Sequence, residues 1–356
     1  MKNKMTLEEI KEAVKPLDET SMEEARGHWM KVAKPLFSLG KLEDAVVRMA
    51  GIKGTAEYEL KKKALVIMCA DNGVVEEGVT QTGQEVTAVV ADNFTKGKTC
   101  TSVMGELAGV ELFPVDIGMA ADVASVTREA DKVAYGTKNL FKEPAMTKGQ
   151  VWQAVCVGVE KVRCLKEQGY DIVATGEMGI GNTTTSSAAA SVLLGLPAEQ
   201  MTGRGAGLSS GGLERKIAVI KAAIEKHCPD RNDPVDVLAK VGGLDIAGLA
   251  GVFLGGALYR VPVVVDGFIS SVAALCAVRM VPLAGEYLIC SHVSKEPAGK
   301  CLLDALGLSP LLTCDMSLGE GSGAVAAMPL LDMGLAVYQK MATFDNANIK
   351  QYEVLS

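Results

Sequence analysis

The fold is decided by the stretch Asp171-Ile172-Val173-Ala174-Thr175-Gly176-Glu177-Met178-Gly179-Ile180-Gly181-Asn182-Thr183-Thr184. Its first four residues form a short, nearly continuous apolar run, which is typical of a parallel strand covered on both faces. The small residues Ser186–Leu194 follow the glycines and have a helical composition. A strand, a tight turn and a helix in this order predict one unit of an α/β fold.

The same alternation recurs along the chain. The candidate strands are Ala64–Cys69, Glu111–Val115, Asp171–Ala174, Val261–Val265 and Tyr287–Cys290, and helical stretches such as Trp152–Gln168 and Leu213–Lys226 lie between them. This pattern predicts an open, doubly wound (Rossmann-like) parallel sheet. Residues 1–62 instead space apolar residues by three and four, which predicts a smaller helical unit made of Leu7–Val14, Met22–Ala33 and Leu42–Met49.

Polar residues and glycines follow every candidate strand. Asp71, Asp116, Gly176, Asp266 and Ser291 each open such a turn. Open α/β sheets bind ligands at the carboxyl ends of their strands. Capping of the following helix explains any one of these turns, but five together predict a ligand site.

Composition narrows the class of protein. The 356 residues are 48% hydrophobic and 4% aromatic, with a net charge of −7. The sequence has no basic stripe with interleaved aromatic residues, so nucleic-acid binding is not expected. No apolar run reaches the roughly 20 residues that a membrane span needs, and the charged N-terminus is not a signal peptide. The nine scattered cysteines predict reduced thiols in the cytoplasm. The three histidines have no metal spacing, so neither a metal nor another cofactor is expected.

Two glutamates stand among glycines, Glu177 in the opening stretch and Glu320 in Leu318-Gly319-Glu320-Gly321-Ser322-Gly323-Ala324. A carboxylate is costly to bury without partners, whereas glycines let backbone amides approach a ligand closely. The pattern predicts Glu320 as a general base with a raised pKa, beside the apolar Leu318, and Glu177 as a second acid. A helix-entry acid that interacts with the helix dipole is the alternative for Glu320.

Two glycine loops predict an anion site. The amides and hydroxyls of Gly179–Thr184 open a helix, where anions bind readily. A second loop, Gly203–Ser210, precedes a helix that carries Lys216 in its predicted first turn. Neither loop ends as a phosphate-binding loop of nucleotide triphosphatases does, and neither has the third glycine of a dinucleotide fingerprint. His292, after the last strand, is predicted to be structural.

Taken in order, these segments resemble the nicotinate-nucleotide–dimethylbenzimidazole phosphoribosyltransferase family from about residue 20 to the end. The matching stretches are Ser38–Glu43, Ala70–Val74, Asp116–Gly118, Gly136–Asn139, Pro144–Met146, Gly176–Thr184, Gly203–Gly207, Lys240–Asp245, Val265–Phe268, Ser291-His292 and Leu318–Ala324. Each motif is weak alone, but the ordered set is specific.

The resemblance implies a fold and an activity. Phosphoribose would move from nicotinate mononucleotide to a benzimidazole-type base with inversion, giving nicotinate and the α-ribotide of the cobamide (vitamin B12) lower ligand. The resemblance also implies a homodimer. In each subunit, a Rossmann-like catalytic domain (here 63–334) would join a small helical domain built from both chain ends (1–62 and about 335–356).

The resemblance also assigns site residues. Glu320 maps to the family's proposed base, and Glu177 lies near the ribose. The phosphate contacts map to Gly179, Gly181, Asn182, Thr183, Gly203, Arg204, Gly205 and Lys216, and the base pocket to Met178, Ile180, Val86 and Leu318.

Three departures from the family pattern concern the site and its surroundings. Asn72 stands where relatives usually carry histidine, Pro35–Gly40 reads P-L-F-S-L-G instead of P-x-G-S-L-G, and Val86-Thr87-Ala88 lacks the glutamine of a V-T-Q pattern. The last change leaves the accepted base open. A nucleotide-binding or base-sensing protein without catalysis, and another nucleotide enzyme using the same crevice, remain the alternatives.

Overall fold

The computed structural model describes residues 5–353, and a five-stranded, wholly parallel sheet lies at its centre. Its strands are β1 (Lys63–Ala70), β2 (Val110–Gly118), β3 (Ile172–Met178), β4 (Val263–Val265) and β5 (Leu288–Cys290), in the spatial order β2-β1-β3-β4-β5. All five predicted strands and the parallel α/β fold are therefore confirmed.

The helices are α1 (Leu7–Ala13), α2 (Glu19–Lys31), α3 (Lys41–Lys53), α4 (Glu85–Thr95), α5 (Cys100–Ala108), α6 (Lys148–Glu167), α7 (Asn182–Leu194), α8 (Ala198–Met201), α9 (Ser210–His227), α10 (Pro234–Val241), α11 (Leu244–Tyr259), α12 (Phe268–Met280), α13 (Gly299–Leu306), α14 (Ser322–Lys340) and α15 (Phe344–Ala347). Helix α9 begins three residues earlier than predicted, so Lys216 lies in its second turn and not in its first. Among the described residues, no helix joins the length and the apolar character needed to cross a membrane.

Helices cover both faces of the sheet, so β1 is buried along its whole length. Ala64, Val66 and Met68 pack with α6, α11 and α12 on one face, and Leu65 and Ile67 pack with α3 and α14 on the other. Both faces of a parallel strand must be apolar when both are covered, which is why the strands read as continuous apolar runs.

Strands β1, β2 and β3 extend further than the sequence pattern indicated, whereas β4 and β5 are shorter than predicted. β3 runs through Met178 because its backbone pairs with β1, where Met68 faces Glu177 and Cys69 faces Met178 in the register. Likewise, Asp116-Ile117-Gly118 belongs to β2 and is not a turn after it. Glu177 is therefore held by a strand, not by a loop.

Helix α2, near the start of the chain, packs on the end of α14. Trp29 and His28 of α2 contact the ring of Tyr338 near the end of α14, and Val32 forms a bridge with Thr343. Helix α14 also packs on α3 and α5, and its residues share the apolar cluster on that face of the sheet.

Candidate active site

A cavity of about 200 Å³ opens at the carboxyl ends of β3, β4 and β5. Its lining brings together residues from segments far apart in the chain: Glu177, Met178, Gly179, Ile180, Asn182, Thr183, Gly205, Ala206, Asp266, Gly267, Phe268, Ile269, Ser270, His292, Ser294, Glu296, Ser317, Leu318, Gly319 and Glu320. This is the position at which open α/β sheets bind ligands.

Glu177 is buried at the end of β3. The amide of Asn182, the first residue of α7, donates to its carboxyl group, and so does the backbone N–H of Glu320. Burial, together with the nearby Asp245 and Asp266, nevertheless raises the pKa of Glu177 to about 8. Glu177 is therefore mostly protonated at neutral pH.

Glu320 has a backbone conformation that side chains rarely adopt, with φ of 60° between Gly319 at 84° and Gly321 at 82°. Its carbonyl group lies on β3 so closely that a methyl group at Gly176 would be 2.7 Å from the carbonyl oxygen. The glycines therefore allow the turn to lie directly on the strand that carries Glu177.

The Glu320 side chain is held by Thr101, whose hydroxyl donates to Oε2 at 3.0 Å. Thr101 is fully buried in α5. No motif in the sequence pointed to Thr101, because it lies 219 positions before Glu320 in the chain.

Gly319 brings the two glutamates together. A methyl group at Gly319 would lie 2.5 Å from Glu177 Oε1. The backbone of one acidic segment thus covers the carboxyl group of the other, and both side chains line the same cavity.

The N-terminus of α7 forms the other end of the cavity. Lys216 is almost fully buried, and its Nζ donates to Thr183 Oγ1 at 2.8 Å and to the carbonyl of Gly203 at 3.3 Å. Burial lowers the pKa of Lys216 to about 8, although the Glu296 carboxylate opposes this shift. A buried cation beside the N-terminus of a helix is a suitable anion site.

Glu296 stands at this end of the cavity and was not predicted. It accepts a backbone hydrogen bond from Gly205, and its carboxylate lies directly against Gly203, where a side chain would collide with it. Burial raises the pKa of Glu296.

Four predicted phosphate residues are not in the lining of this cavity: Gly181, Gly203, Arg204 and Lys216. Gly181 and Arg204 line a smaller neighbouring cavity of about 80 Å³. The exposed Arg204 donates to the carbonyl of Leu208 at 2.7 Å and to Ser210 Oγ at 3.1 Å, so its guanidinium braces its own loop.

The predicted base-pocket residues are divided in the same way. Met178, Ile180 and Leu318 line the main cavity, and Leu318 is 53% exposed at its mouth. Val86 lies on α4 and does not belong to the lining. Its buried neighbour Thr87 reaches the site instead, since its hydroxyl accepts from the N–H of Ile180 at 3.1 Å and donates to Asp71 at 2.6 Å.

Asp266 and His292 complete the wall at the ends of β4 and β5. Burial raises the pKa of Asp266, and the nearby His292 opposes that shift. Asp266 accepts from the N–H of Ala324 at 2.9 Å, and the His292 ring packs on Gly323. The strand-end pattern had marked both positions, but it assigned neither of them to the site.

The described part of the chain contains no group of three or more histidine, cysteine or acidic side chains arranged to hold a metal ion. The lining offers hydrogen-bond donors and three glutamates, and the buried ammonium group of Lys216 lies against one of its residues, Thr183.

Comparison with known proteins gives one consistent result. Residues 14–349 match the model of a phosphoribosyltransferase family. The chain is 47% identical, over 99% of its length and 100% of the relative's, to the nicotinate-nucleotide–dimethylbenzimidazole phosphoribosyltransferase of Ruminiclostridium cellulolyticum. It is 48% identical to that of Acetivibrio thermocellus over 90% of this chain and 92% of the relative. The crystal structure of CobT from Thermus thermophilus superposes with a TM-score of 0.88 at 38% identity, covering 94% of this chain and 100% of that one.

Proposed function

The chain belongs to the nicotinate-nucleotide–dimethylbenzimidazole phosphoribosyltransferase family, and we propose that the cavity at the strand ends is where it carries out the family's reaction. It is a phosphoribosyltransferase of cobamide biosynthesis, with small molecules as substrates. Phosphoribose passes from nicotinate mononucleotide to a benzimidazole-type base, and the products are nicotinate and an α-ribotide.

The convergence of Glu177 and Glu320 across Gly319 supports this location best. The two side chains share one cavity with the start of α7, where Thr183 accepts a hydrogen bond from the buried Lys216. A phosphoribosyl transfer needs an anion site for the phosphate, a base for the incoming nucleophile and polar groups at the sugar. The lining of the cavity and the residues in contact with it supply all three.

Glu320 acts as the general base in this proposal. Its carboxylate takes the N–H proton of the incoming base while the other ring nitrogen attacks C1′ of the ribose from the face opposite nicotinate. The bond between C1′ and nicotinate breaks, and its electron pair leaves with the nicotinate nitrogen. Thr101 orients the carboxylate through its hydrogen bond to Oε2.

Glu177 has a different part. Two carboxylates near one sugar would stabilise a positively charged C1′, as in glycosyl transfer. With a pKa of about 8, however, Glu177 carries a proton at neutral pH, so it donates a hydrogen bond to a ribose hydroxyl instead.

The phosphate binds at the start of α7. Thr183, in the first turn of α7, and the ammonium group of Lys216 lie together there. Phosphate charge beside Lys216 favours its protonated form and so offsets the lowering of its pKa by burial.

The aromatic base lies against Met178, Ile180 and Leu318 at the mouth of the cavity. Leu318 is half exposed in the free protein, so a planar ligand there removes apolar surface from water.

The homodimer of the family is part of the proposal. Val103 and Leu107 lie one turn apart on α5, with 63% and 92% of their surface exposed. Adjoining apolar side chains that monomers leave in water mark interaction surfaces. Helix α5 also carries Thr101, so this surface lies on the helix that holds the catalytic base.

The division into domains and the location in the cell are proposed on separate grounds. The contacts of α2 with the end of α14 support a small helical domain built from both chain ends, although residues 1–4 and 354–356 of that division lie outside the described residues. No disulfide bond joins cysteines among residues 5–353, which is typical of proteins in the cytoplasm.

The reaction is tested by incubating the protein with nicotinate mononucleotide and a panel of benzimidazoles, purines and phenols. Nicotinate release and a ribotide of the expected mass support the proposal and identify the accepted base. Tight nucleotide binding without any ribotide, across the whole panel, would instead show a binding or sensing protein.

A further inference from the structure

Three buried oxygen atoms converge beside Gly243, just before α11. A methyl group at Gly243 would collide with Asp245 Oδ1, and it would lie 2.9 Å from Asn72 Oδ1 and 3.4 Å from Thr185 Oγ1. All three side chains are completely buried. Among residues 5–353, Asn72 Oδ1 has no donor in hydrogen-bonding geometry, and the Ile246 N–H and the Asn182 amide are near Asp245 without reaching that geometry. Buried oxygens left this way are costly.

The orientation of Asn72 is determined by the loop above it. Its Nδ2 donates to the carbonyl of Ile180 at 3.3 Å. Reversing the amide would place two acceptors, Asn72 Oδ1 and the Ile180 carbonyl, against each other. Asn72 Oδ1 therefore lies beside Gly243, as Asp245 Oδ1 does, and requires a donor there.

Thr185 does not supply that donor. Its hydroxyl has a single proton, which it donates to the carbonyl of Asn182 at 3.0 Å. Of the three groups, only the Asp245 carboxyl has a protonation state that provides a hydrogen atom.

We propose that Asp245 is a neutral carboxylic acid that donates a hydrogen bond to Asn72 Oδ1, and that this pair is a positioning element for the loop Gly179–Gly181. A methyl group at Gly179 would lie 3.3 Å from Asp245 Oδ2, and one at Gly181 would lie 3.2 Å from the Cβ of Asn72. The pair thus forms the floor of the loop that carries the phosphate and base contacts, and it touches no reacting atom itself.

The electrostatic surroundings agree with a neutral Asp245. Burial raises its pKa to about 7, although the nearby Ile246 N–H and Asn182 amide act in the opposite direction. The titratable groups facing it are Cys69 from β1, Asp71 directly after β1 and Glu177 from β3. All of them become negative on ionisation, so they favour the protonated form of Asp245.

The first test measures protonation and does not involve enzyme activity. A carboxyl group whose pKa is raised in the folded state stabilises the fold at low pH, and that contribution is lost as the pH rises toward its folded pKa. The variant D245N keeps a donor at every pH. Its Tm minus that of the wild type should therefore increase by several degrees from about pH 5 to about pH 7.5.

The exposed Asp345 provides a matched control, since D345N should show no such increase. A Tm difference for D245N that stays constant, or that decreases as the pH rises, would overturn the neutral carboxyl group.

The second test concerns positioning and rests on the proposed function. D245L removes the donor, leaves Asn72 Oδ1 unpaired and should raise KM for nicotinate mononucleotide about tenfold. D245N, which still donates, should keep KM close to the wild-type value. Equal KM values for D245L and the wild type would refute the positioning role.

The two tests fail separately. Absence of any ribotide from the wild type would remove the proposed function, while the Tm comparison would still decide the protonation of Asp245. If D245L does not fold, the KM of D245N decides the second test, because a tenfold increase in that variant would contradict positioning by hydrogen-bond donation.

Discussion

At the scale of single residues, the site depends on protonation states that burial sets. Glu177 and Lys216 both have a pKa of about 8, which is a raised value for the carboxyl group and a lowered value for the ammonium group. Burial disfavours the anion of Glu177 and the cation of Lys216 alike. At neutral pH the site therefore contains a neutral acid beside the sugar and an ammonium group beside the phosphate, with Glu320 as the proposed base.

Replacing Glu320 by Gln should lower kcat by about 10²–10⁴-fold, because the amide removes the base and keeps the shape of the side chain. Binding of nicotinate mononucleotide, measured by calorimetry, should persist. The reaction is followed by nicotinate release under saturating substrates. Turnover within a few-fold of the wild type would remove Glu320 from the mechanism.

The rate should fall on the alkaline side as the pH passes about 8. Glu177 loses its proton there and becomes an anion, and Lys216 loses its positive charge. E177Q cannot ionise and K216R stays charged. Each variant should therefore remove one of the two contributions to the decline in kcat/KM above pH 8. An identical alkaline limb in the wild type and both variants would contradict these roles.

At the scale of elements, glycines allow two segments to meet. The turn Gly319–Gly321 lies on β3, and the helix α14 begins directly after it. The sequence marked both glycine-flanked glutamates, because the residue types at a tight turn are local information. It did not reveal Thr101 or Glu296, since their contacts join segments that only the packing of α5 and of the loop after β5 brings near.

Gly319→Ala should lower both stability and activity. The new methyl group would lie 2.5 Å from Glu177 Oε1, and the φ of 84° is strained for alanine. Gly307→Ala is the matched control, because Gly307 has a φ of 63° and open space around it. The control should lose only about 1–2 kcal/mol of stability and retain kcat, whereas G319A should lose more stability and most of its kcat. Thermal unfolding and steady-state assays compare them, and equal kcat values would show that Gly319 does not shape the site.

At the scale of the whole molecule, α5 joins the candidate site to two exposed apolar side chains. Leu107 and Val103 project from the same helix that holds Thr101 against Glu320. Association through this face would therefore bear directly on the helix that orients the base.

The variant L107E should convert the proposed dimer to a monomer, since it places a charge in the apolar contact. Light scattering after size exclusion gives the mass directly. I349E, at another exposed apolar position, should leave the dimer intact. A monomeric wild type, or an L107E variant that dimerises as tightly as the wild type, would contradict the proposed interface.

The parallel α/β fold follows from the amino-acid sequence alone. Parallel strands covered on both faces need continuous apolar runs, and such runs followed by polar turns are visible as local patterns in the sequence. The sequence also indicated the two glutamates, the glycine loops and Lys216 through residue types at turns and helix starts. Three-dimensional packing was needed to show that Thr101 holds Glu320, that Glu296 lies at the phosphate end and that Asn72 faces Asp245. These pairings join residues distant in the chain. The protonation states of Glu177, Lys216 and Asp245 follow from burial, which no local pattern contains.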